Sequence, residues 1–305
     1  MKKSIYIMTA SALILSACSA ATDSAEKGME SAKKVASEAA AKVNMDAKLE
    51  AILAAQADKA KTRFDARNPK ETLKFFGIKE GMTVVEALPG GGWYSKILIP
   101  YLGDSGHLIG VDYSLRMWPE FGGFANEEFI EKKKTWAVDW VEGAQEWRAG
   151  SNANLSAFTF ENRDTSLDGT VDAVLYIRAM HNLSRFQAEG DYMTKAMEDT
   201  YALLKPGGVV GIVQHQGPEG NDDSWAIGSN GYLKKSNVIA SMQAAGFELV
   251  KESAINENPR DVPTNEESVW RLPPTLGGSK DNPEMRAKMQ AIGESNRMTL
   301  LFKKI

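Results

Sequence analysis

The sequence predicts a doubly wound α/β domain on a largely parallel sheet, and three observations carry that prediction. From residue 69 onward, short β-rich runs alternate with stretches of helical periodicity. Several of these runs are apolar at consecutive positions, as strands buried on both faces are. The first of them leads through Gly90-Gly91-Gly92 into a helical pattern, the strand-turn-helix order found where such sheets bind ligands.

Composition admits this fold and excludes others. The 305 residues are 43% hydrophobic and 25% charged, with a formal charge of −4, which rules out wholesale disorder, a collagen-like repeat and a polytopic membrane protein. There is no broad basic surface. The single lysine run, Lys132 to Lys134, follows Glu127, Glu128 and Glu131 in the manner of a solvated helix face, so nucleic acid is not an expected partner. Cys18 is the single cysteine; no intrachain disulfide can form, and no Cys/His set has zinc-ligand spacing, so no metal is expected.

Residues 1–17 begin with Lys2 and Lys3, continue through an apolar stretch from Ile5 to Leu15, and lead into Cys18. This is the pattern of a secretory signal peptide, shorter than the roughly 20 apolar residues a bilayer span needs. Leu15-Ser16-Ala17-Cys18 resembles the lipobox of bacterial lipoproteins. The resemblance implies lipidation of Cys18, a membrane anchor through its acyl chains and, with Ser19 following, an outer-membrane lipoprotein of the cell envelope facing the periplasm, or alternatively the cell surface. Residues 18–45 are mostly Ala, Ser, Lys and Glu and cannot bury a core; they read as a partly helical tether. The main domain is expected over 46–305, opening with Leu49, Ile52, Leu53 and Gln56 at helical spacing.

Within that domain, strands are expected at Met82 to Leu88, His107 to Val111, Ala157 to Phe160, Val171 to Ile177 and Val209 to Val213. Helices are expected at Trp93 to Leu102, Asn126 to Glu146 and Gly190 to Leu204, the last stopped by the Lys205-Pro206-Gly207-Gly208 turn. Trp136, Trp140 and Trp147 share one helical face and are expected in the core.

Ligand chemistry is concentrated after the first strand. Consecutive glycines let a ligand touch the backbone, and the following helix turns free N–H groups toward it. Asp112 ends the second strand, twenty residues after Gly92, where a carboxylate can accept both ribose hydroxyls in hydrogen bonds worth about 1.5–3 kcal/mol. Together these point to an adenosine-containing ligand. A nicotinamide dinucleotide is disfavoured, because its Gly-x-Gly-x-x-Gly pattern meets Ser95 at the sixth place. Tyr201 and Lys205 have short-chain dehydrogenase spacing, but Lys205 abuts the proline-glycine turn, and the match is read as chance.

The residues resemble class I S-adenosylmethionine-dependent methyltransferases, and more closely a family of predicted bacterial methyltransferases with a Glu-x-x-Pro-Gly-Gly-Gly-Trp-Tyr loop. The supporting segments are Glu86 to Tyr94, Arg178 to Asn182, Leu204 to Gly208, Asn256 to Asp261 and Val269 to Pro274, and the likeness covers roughly residues 60–305. It implies a Rossmann-like seven-stranded sheet whose sixth strand is Phe247 to Glu252 and whose last, Met298 to Lys303, is antiparallel and lies between the fifth and sixth. It implies S-adenosyl-L-methionine as cofactor, with Glu86 at its methionine end, Gly90, Gly91 and Gly92 cradling it, Trp93 closing over it, Asp112 on the ribose and Asp164 near the adenine. The usual loop has a glycine where this chain has Leu88, a side chain that narrows the site.

Methyl transfer from a sulfonium needs chiefly an acceptor atom placed within roughly 3–3.5 Å of the methyl carbon. A histidine serves if the acceptor must lose a proton. His181 with Asn182 follows the fourth strand and His215 ends the fifth, so these three are the candidate catalytic residues; helix capping and backbone bonding are the alternative roles of the histidines. The Pro- and Asn-rich stretch Ser253 to Arg297 is expected as a lid over the acceptor. Two functions are consistent with these features: a lipid-anchored methyltransferase acting on a small molecule or an envelope component, and a non-catalytic lipoprotein that keeps the fold as a binding or scaffold module. The sequence leaves the oligomeric state open.

Overall fold

The computed structural model describes residues 43–305 together with residues 30, 33–35 and 37, which are helical. The signal-like segment, Cys18 and most of the tether lie outside the described residues. The chain divides into two units, Met1–Lys48 and Leu49–Ile305, of which the second contains the sheet.

Eight strands form that sheet: β1 Thr83–Ala87, β2 His107–Asp112, β3 Asn154–Thr159, β4 Val171–Ile177, β5 Leu204–Gly217, β6 Leu233–Lys234, β7 Phe247–Ser253 and β8 Arg297–Lys304. Their order is β3-β2-β1-β4-β5-β8-β7, with the two-residue β6 beside the end of β5. Strands β1 to β5 pair in parallel, while β8 runs antiparallel between β5 and β7. This is the doubly wound order that the sequence predicts, with the inserted antiparallel strand that the resemblance implies, extended by β6. The order reverses at β1 and β4, so the crevice outside their carboxyl ends is the topological switch point.

Successive strand residues feed opposite faces. Val85, Ile109, Val174, Ile212 and Leu300 enter one apolar cluster, and their neighbours Val84, Leu108, Ala173, Leu175, Val213 and Leu301 enter the other. Period-2 side-chain direction with helices on both faces is why these strands read as unbroken apolar runs. Leu49, Leu73 and Phe76 close the second cluster from outside the sheet.

Two elements differ from the sequence expectation. The helix expected over Asn126 to Glu146 is two helices, Glu127–Lys133 and Trp136–Ala144, followed by a 3-10 turn, Gln145–Trp147. Asn126 caps the first by accepting from Phe129 N, and Thr135 parts them, its hydroxyl donating to Asp139 Oδ2 at 2.7 Å with Lys132 O, at 3.2 Å, as the competing acceptor. Trp140 is buried, while Trp136 and Trp147 are half-buried against the same cluster. The Lys205-Pro206-Gly207-Gly208 stretch lies inside β5 rather than before it: Leu204 already pairs with Val171, and the register shifts before Ala173 pairs with Val209.

The stretch expected as a lid has a 3-10 turn, Val269–Arg271, and a helix, Pro283–Ile292. Polar side chains, buried at Asp261 and Asn256 and half-buried at Asn258, tie it down. Asp261 accepts from Tyr232 Oη, Arg271 Nη2 and Asn296 N; Asn256 donates to Thr72 and Thr299; Asn258 donates to the carbonyls of Ile292 and Glu294. Small apolar groupings, Leu272 with Leu276 and Met289, and Trp225 with Tyr232 and Val269, fill the space beneath.

Candidate functional site

Beyond the carboxyl ends of β1, β4 and β5 lies a cavity of about 340 Å³. Leu88, Gly90, Gly91 and Trp93 line it from the loop after β1, Arg178 and His181 from the turn after β4, and His215 from β5. Val269, Trp270, Pro273 and Pro274 line it together with Glu294 and Ser295, so the stretch expected as a lid supplies part of its wall. A larger hollow of about 710 Å³, between the helices Tyr192–Leu203 and Lys235–Ala244, holds none of the sequence-predicted site residues.

The backbone of the glycine loop is open. A Cβ built on Gly91 meets nothing within 4 Å, and one on Gly90 meets only Leu88 O at 4.0 Å. Leu88 itself has φ 57°, so the bend keeps the left-handed conformation that a glycine would take there, at a cost of about 1–3 kcal/mol. Arg178, the first residue past β4, is also left-handed, at φ 59°. Two such residues, neither of them glycine, face one cavity, as happens where geometry is held for a ligand.

Gly92 has a different partner. With φ 75°, its built Cβ would stand 2.5 Å from the Trp147 ring, so this glycine admits the indole onto the loop and does not line the cavity. Glu86 sits behind the loop, almost fully buried, and accepts from Ser95 Oγ at 2.6 Å. Burial pushes its carboxyl up to about 7 against the opposing effect of that hydroxyl.

Asp112 ends β2 as expected, but its carboxylate is engaged. Oδ1 accepts from Tyr113 N at 2.9 Å, and Oδ2 accepts from Lys133 Nζ at 2.7 Å. Burial raises its pKa while Lys133 lowers it. Lys133 also lies 4.1 Å over the Trp118 ring, within a group of rings that includes Tyr113, Phe121 and Phe129. For a ribose to take both oxygens, Lys133 must move away. Asp164 is exposed and caps the 3-10 turn Thr165–Leu167 by accepting from Ser166 N, which places it outside the cavity.

The two histidines meet at the cavity wall, ring centres 5.8 Å apart. His215 Nδ1 is 2.6 Å from Ser295 Oγ, and His181 lies 6.3 Å from the Trp270 ring. Burial, the leading cause, pulls His181 down to about 4, and burial with the charge effects of His181 and Arg178 holds His215 well below its usual value. Both are neutral at pH 7. Asn182 donates to Tyr113 Oη at 3.0 Å and is not part of the lining.

Sequence reasoning thus brings Gly90, Gly91, Trp93, His181 and His215 to one cavity, and leaves Glu86, Gly92, Asp112, Asn182 and Asp164 behind or beside it. It gave no role to Arg178, Trp270 or Glu294, and it read Lys133 as part of a solvated helix face, which holds for Lys132 and Lys134, whereas Lys133 turns inward onto Asp112. The available signal for Arg178 was its place as the residue directly after a buried strand, where a charge has little reason to be unless a ligand uses it.

The residues fit S-adenosylmethionine in part: the loop after β1 can take a ligand against its backbone, and the acid after β2 is in the expected place but held by Lys133.

No protein-family model matches the chain, and no curated protein matches it. Among solved structures, a SAM-dependent methyltransferase from Aquifex aeolicus aligns over 82% of this chain and 100% of its own, with 16% identity and a TM-score of 0.43. The [4+2]-cyclase SpnF aligns over 78% of this chain and 80% of its own, at 15% identity and a TM-score of 0.48. The Burkholderia thailandensis 1,6-didemethyltoxoflavin-N1-methyltransferase, solved with S-adenosylhomocysteine, aligns over 81% of each chain at 14% identity and a TM-score of 0.43. Likeness at this level carries nothing about chemistry, which has to be read from the cavity.

Proposed function

We propose that the protein is an S-adenosylmethionine-dependent methyltransferase acting on a small molecule or an envelope component. The observation that carries this reading is the open backbone of Gly90 and Gly91 at the switch point of a doubly wound sheet, with an acid at the tip of the adjoining strand. Gly90 and Gly91 would hold the cofactor against their backbone, Glu86 would sit behind its methionine end, and Asp112 would take the ribose once Lys133 has withdrawn. The bound cofactor would supply an electrophilic methyl group on a sulfonium, so the chain's own task is to orient the acceptor and exclude water. Trp270, Pro273 and Pro274 line the cavity and offer an apolar surface to an acceptor. The neutral imidazoles of His181 and His215 offer lone pairs toward an acceptor proton, though burial makes them weak bases.

Calorimetry of the full chain with S-adenosylhomocysteine tests the reading. Micromolar to submillimolar binding is expected, and Asp112→Ala should weaken it by about 1.5–3 kcal/mol, roughly 10- to 150-fold. No heat at millimolar ligand would leave the second reading, a non-catalytic binding module. One observation favours that reading: Lys133 holds the acid that the cofactor needs.

We further propose that the domain is anchored through Cys18 at the cell envelope, on the strength of the lipobox-like Leu15-Ser16-Ala17-Cys18. Cys18→Ser should move the protein from the membrane to the soluble fraction and abolish labelling by radioactive palmitate; persistent labelling would refute the anchor.

A further inference from the structure

Resting on the methyltransferase reading above, we propose that the acceptor carries an oxyanion, a carboxylate or phosphate group, and that Arg178 holds it in the cavity. Three buried nitrogens without a hydrogen-bond partner belong to residues of this one lining: Arg178 Nε, Trp93 Nε1 and His181 Nδ1. The first two can only donate. Buried donors left unpaired are costly, and a guanidinium more so than an indole, which marks this wall as short of acceptors.

The distribution of charge points the same way. Arg63, Arg67 and Arg297 gather on Glu294: Arg63 Nε donates to Glu294 Oε1 at 2.6 Å, Arg67 Nε lies 3.2 Å from Oε2, and Arg297 Nη1 lies 3.4 Å from Oε2. Arg178 feels the same carboxylate but has no ion pair of its own among the described residues, and it is repelled by Arg67 and Arg297. Burial is the leading cause that pulls it down to about 9. A guanidinium keeps its proton at neutral pH, so Arg178 carries its charge in this wall while Glu294, the carboxylate that acts on it, is already paired with Arg63, Arg67 and Arg297.

Position decides whose oxyanion it is. Arg178 follows β4, and Arg297 opens β8 directly opposite His215 of β5. The positive field therefore falls on the β4–β5–β8 side, and it reaches His215, where Arg178, Arg297 and Arg67 all act. The nucleoside would lie in the other direction, toward β2 and Asp112. Two weakly basic imidazoles also suit an acceptor positioned by its own negative charge.

The test uses the full chain, S-adenosylhomocysteine, and succinate and inorganic phosphate as anion probes, with sodium chloride at matched ionic strength. With wild type saturated by S-adenosylhomocysteine, succinate or phosphate should raise the unfolding temperature saturably at millimolar concentration, beyond the effect of chloride. Arg178→Gln should weaken the anion effect about tenfold or more, while S-adenosylhomocysteine affinity changes by less than about threefold; Arg178→Lys should keep part of it. An effect equal to that of chloride, or one unchanged in Arg178→Gln, overturns the proposal. So does a tenfold loss of S-adenosylhomocysteine affinity in Arg178→Gln, because the arginine would then hold the cofactor's own carboxylate.

Should that variant not fold, competition in wild type decides. Succinate should compete with neither S-adenosylhomocysteine nor 5′-methylthioadenosine, and competition with the former alone overturns the assignment. Saturable anion binding without any S-adenosylhomocysteine binding would remove the methyltransferase reading and the acceptor with it; the reverse pattern would remove the oxyanion site alone.

Discussion

Gly228→Ala should lower stability by roughly 2–6 kcal/mol and dislodge His181 from the cavity wall. Gly228 has φ 106°, and a Cβ built on it falls onto the carbonyl oxygen of His181, with that residue's carbonyl carbon at 2.8 Å and its Cα at 3.1 Å. All three atoms are backbone, so no flexible side chain can yield. Strain at positive φ adds about 1–3 kcal/mol and overpacking about as much again. The loop is fixed from its other side as well, because Gln214, which accepts from Met180 N, donates to Gly231 O. Urea denaturation measures the loss. Gly220→Ala, where a Cβ meets nothing within 4 Å, serves as the control and should stay within about 0.5 kcal/mol of wild type. A Gly228→Ala protein as stable as that control would mean that the loop does not bear on the histidine.

Glu86→Gln should stabilise the protein at pH 8 and leave it unchanged near pH 4.5. The folded carboxyl titrates at about 7, against 4.5 for the ordinary group. Between those values the unfolded chain is ionised at this position and the folded one holds its proton, so folding takes up a proton and stability falls as pH rises. Above about pH 7 the deficit is complete, at about 3 kcal/mol. The amide at position 86 can still accept from Ser95 Oγ but has no charge to desolvate. Its advantage should therefore appear from about pH 4.5, grow to about 3 kcal/mol by pH 8, and shift the midpoint of thermal unfolding by roughly 6–12 °C there. An advantage that is the same at pH 5 and pH 8 would show that Glu86 is ionised throughout.

How much of the fold and site is legible in the sequence depends on whether neighbours along the chain carry the information. The strands announce themselves because both faces of the sheet are covered, so Val84 and Val85, or Leu108 and Ile109, are apolar together although they serve different clusters. Gly90, Gly91, His181 and His215 are legible because a doubly wound sheet places all its carboxyl ends on one edge. Contacts between distant segments are not. Nothing near Asp112 announces that Lys133 will hold it, and nothing near Gly92 announces Trp147. Thr135 is concealed within an otherwise helical pattern, where only its competing hydroxyl bonds reveal the break. The Asn256 to Asp261 segment is distinctive in sequence without a visible reason; its amide and carboxylate groups turn out to fasten this stretch to Thr72, the Glu294 carbonyl and the Asn296 amide.

The placement of β8 also orders events during synthesis. Strand β7 touches the rest of the sheet through β8, yet is made first. A nascent chain that has emerged only through residue 253 has β1 to β5 ready to assemble, but β5 is left with a bare edge and β7 with no strand to pair with. Until residues 297–304 leave the ribosome, that edge is an open invitation to foreign strands, so chaperone occupancy should persist until that segment has emerged.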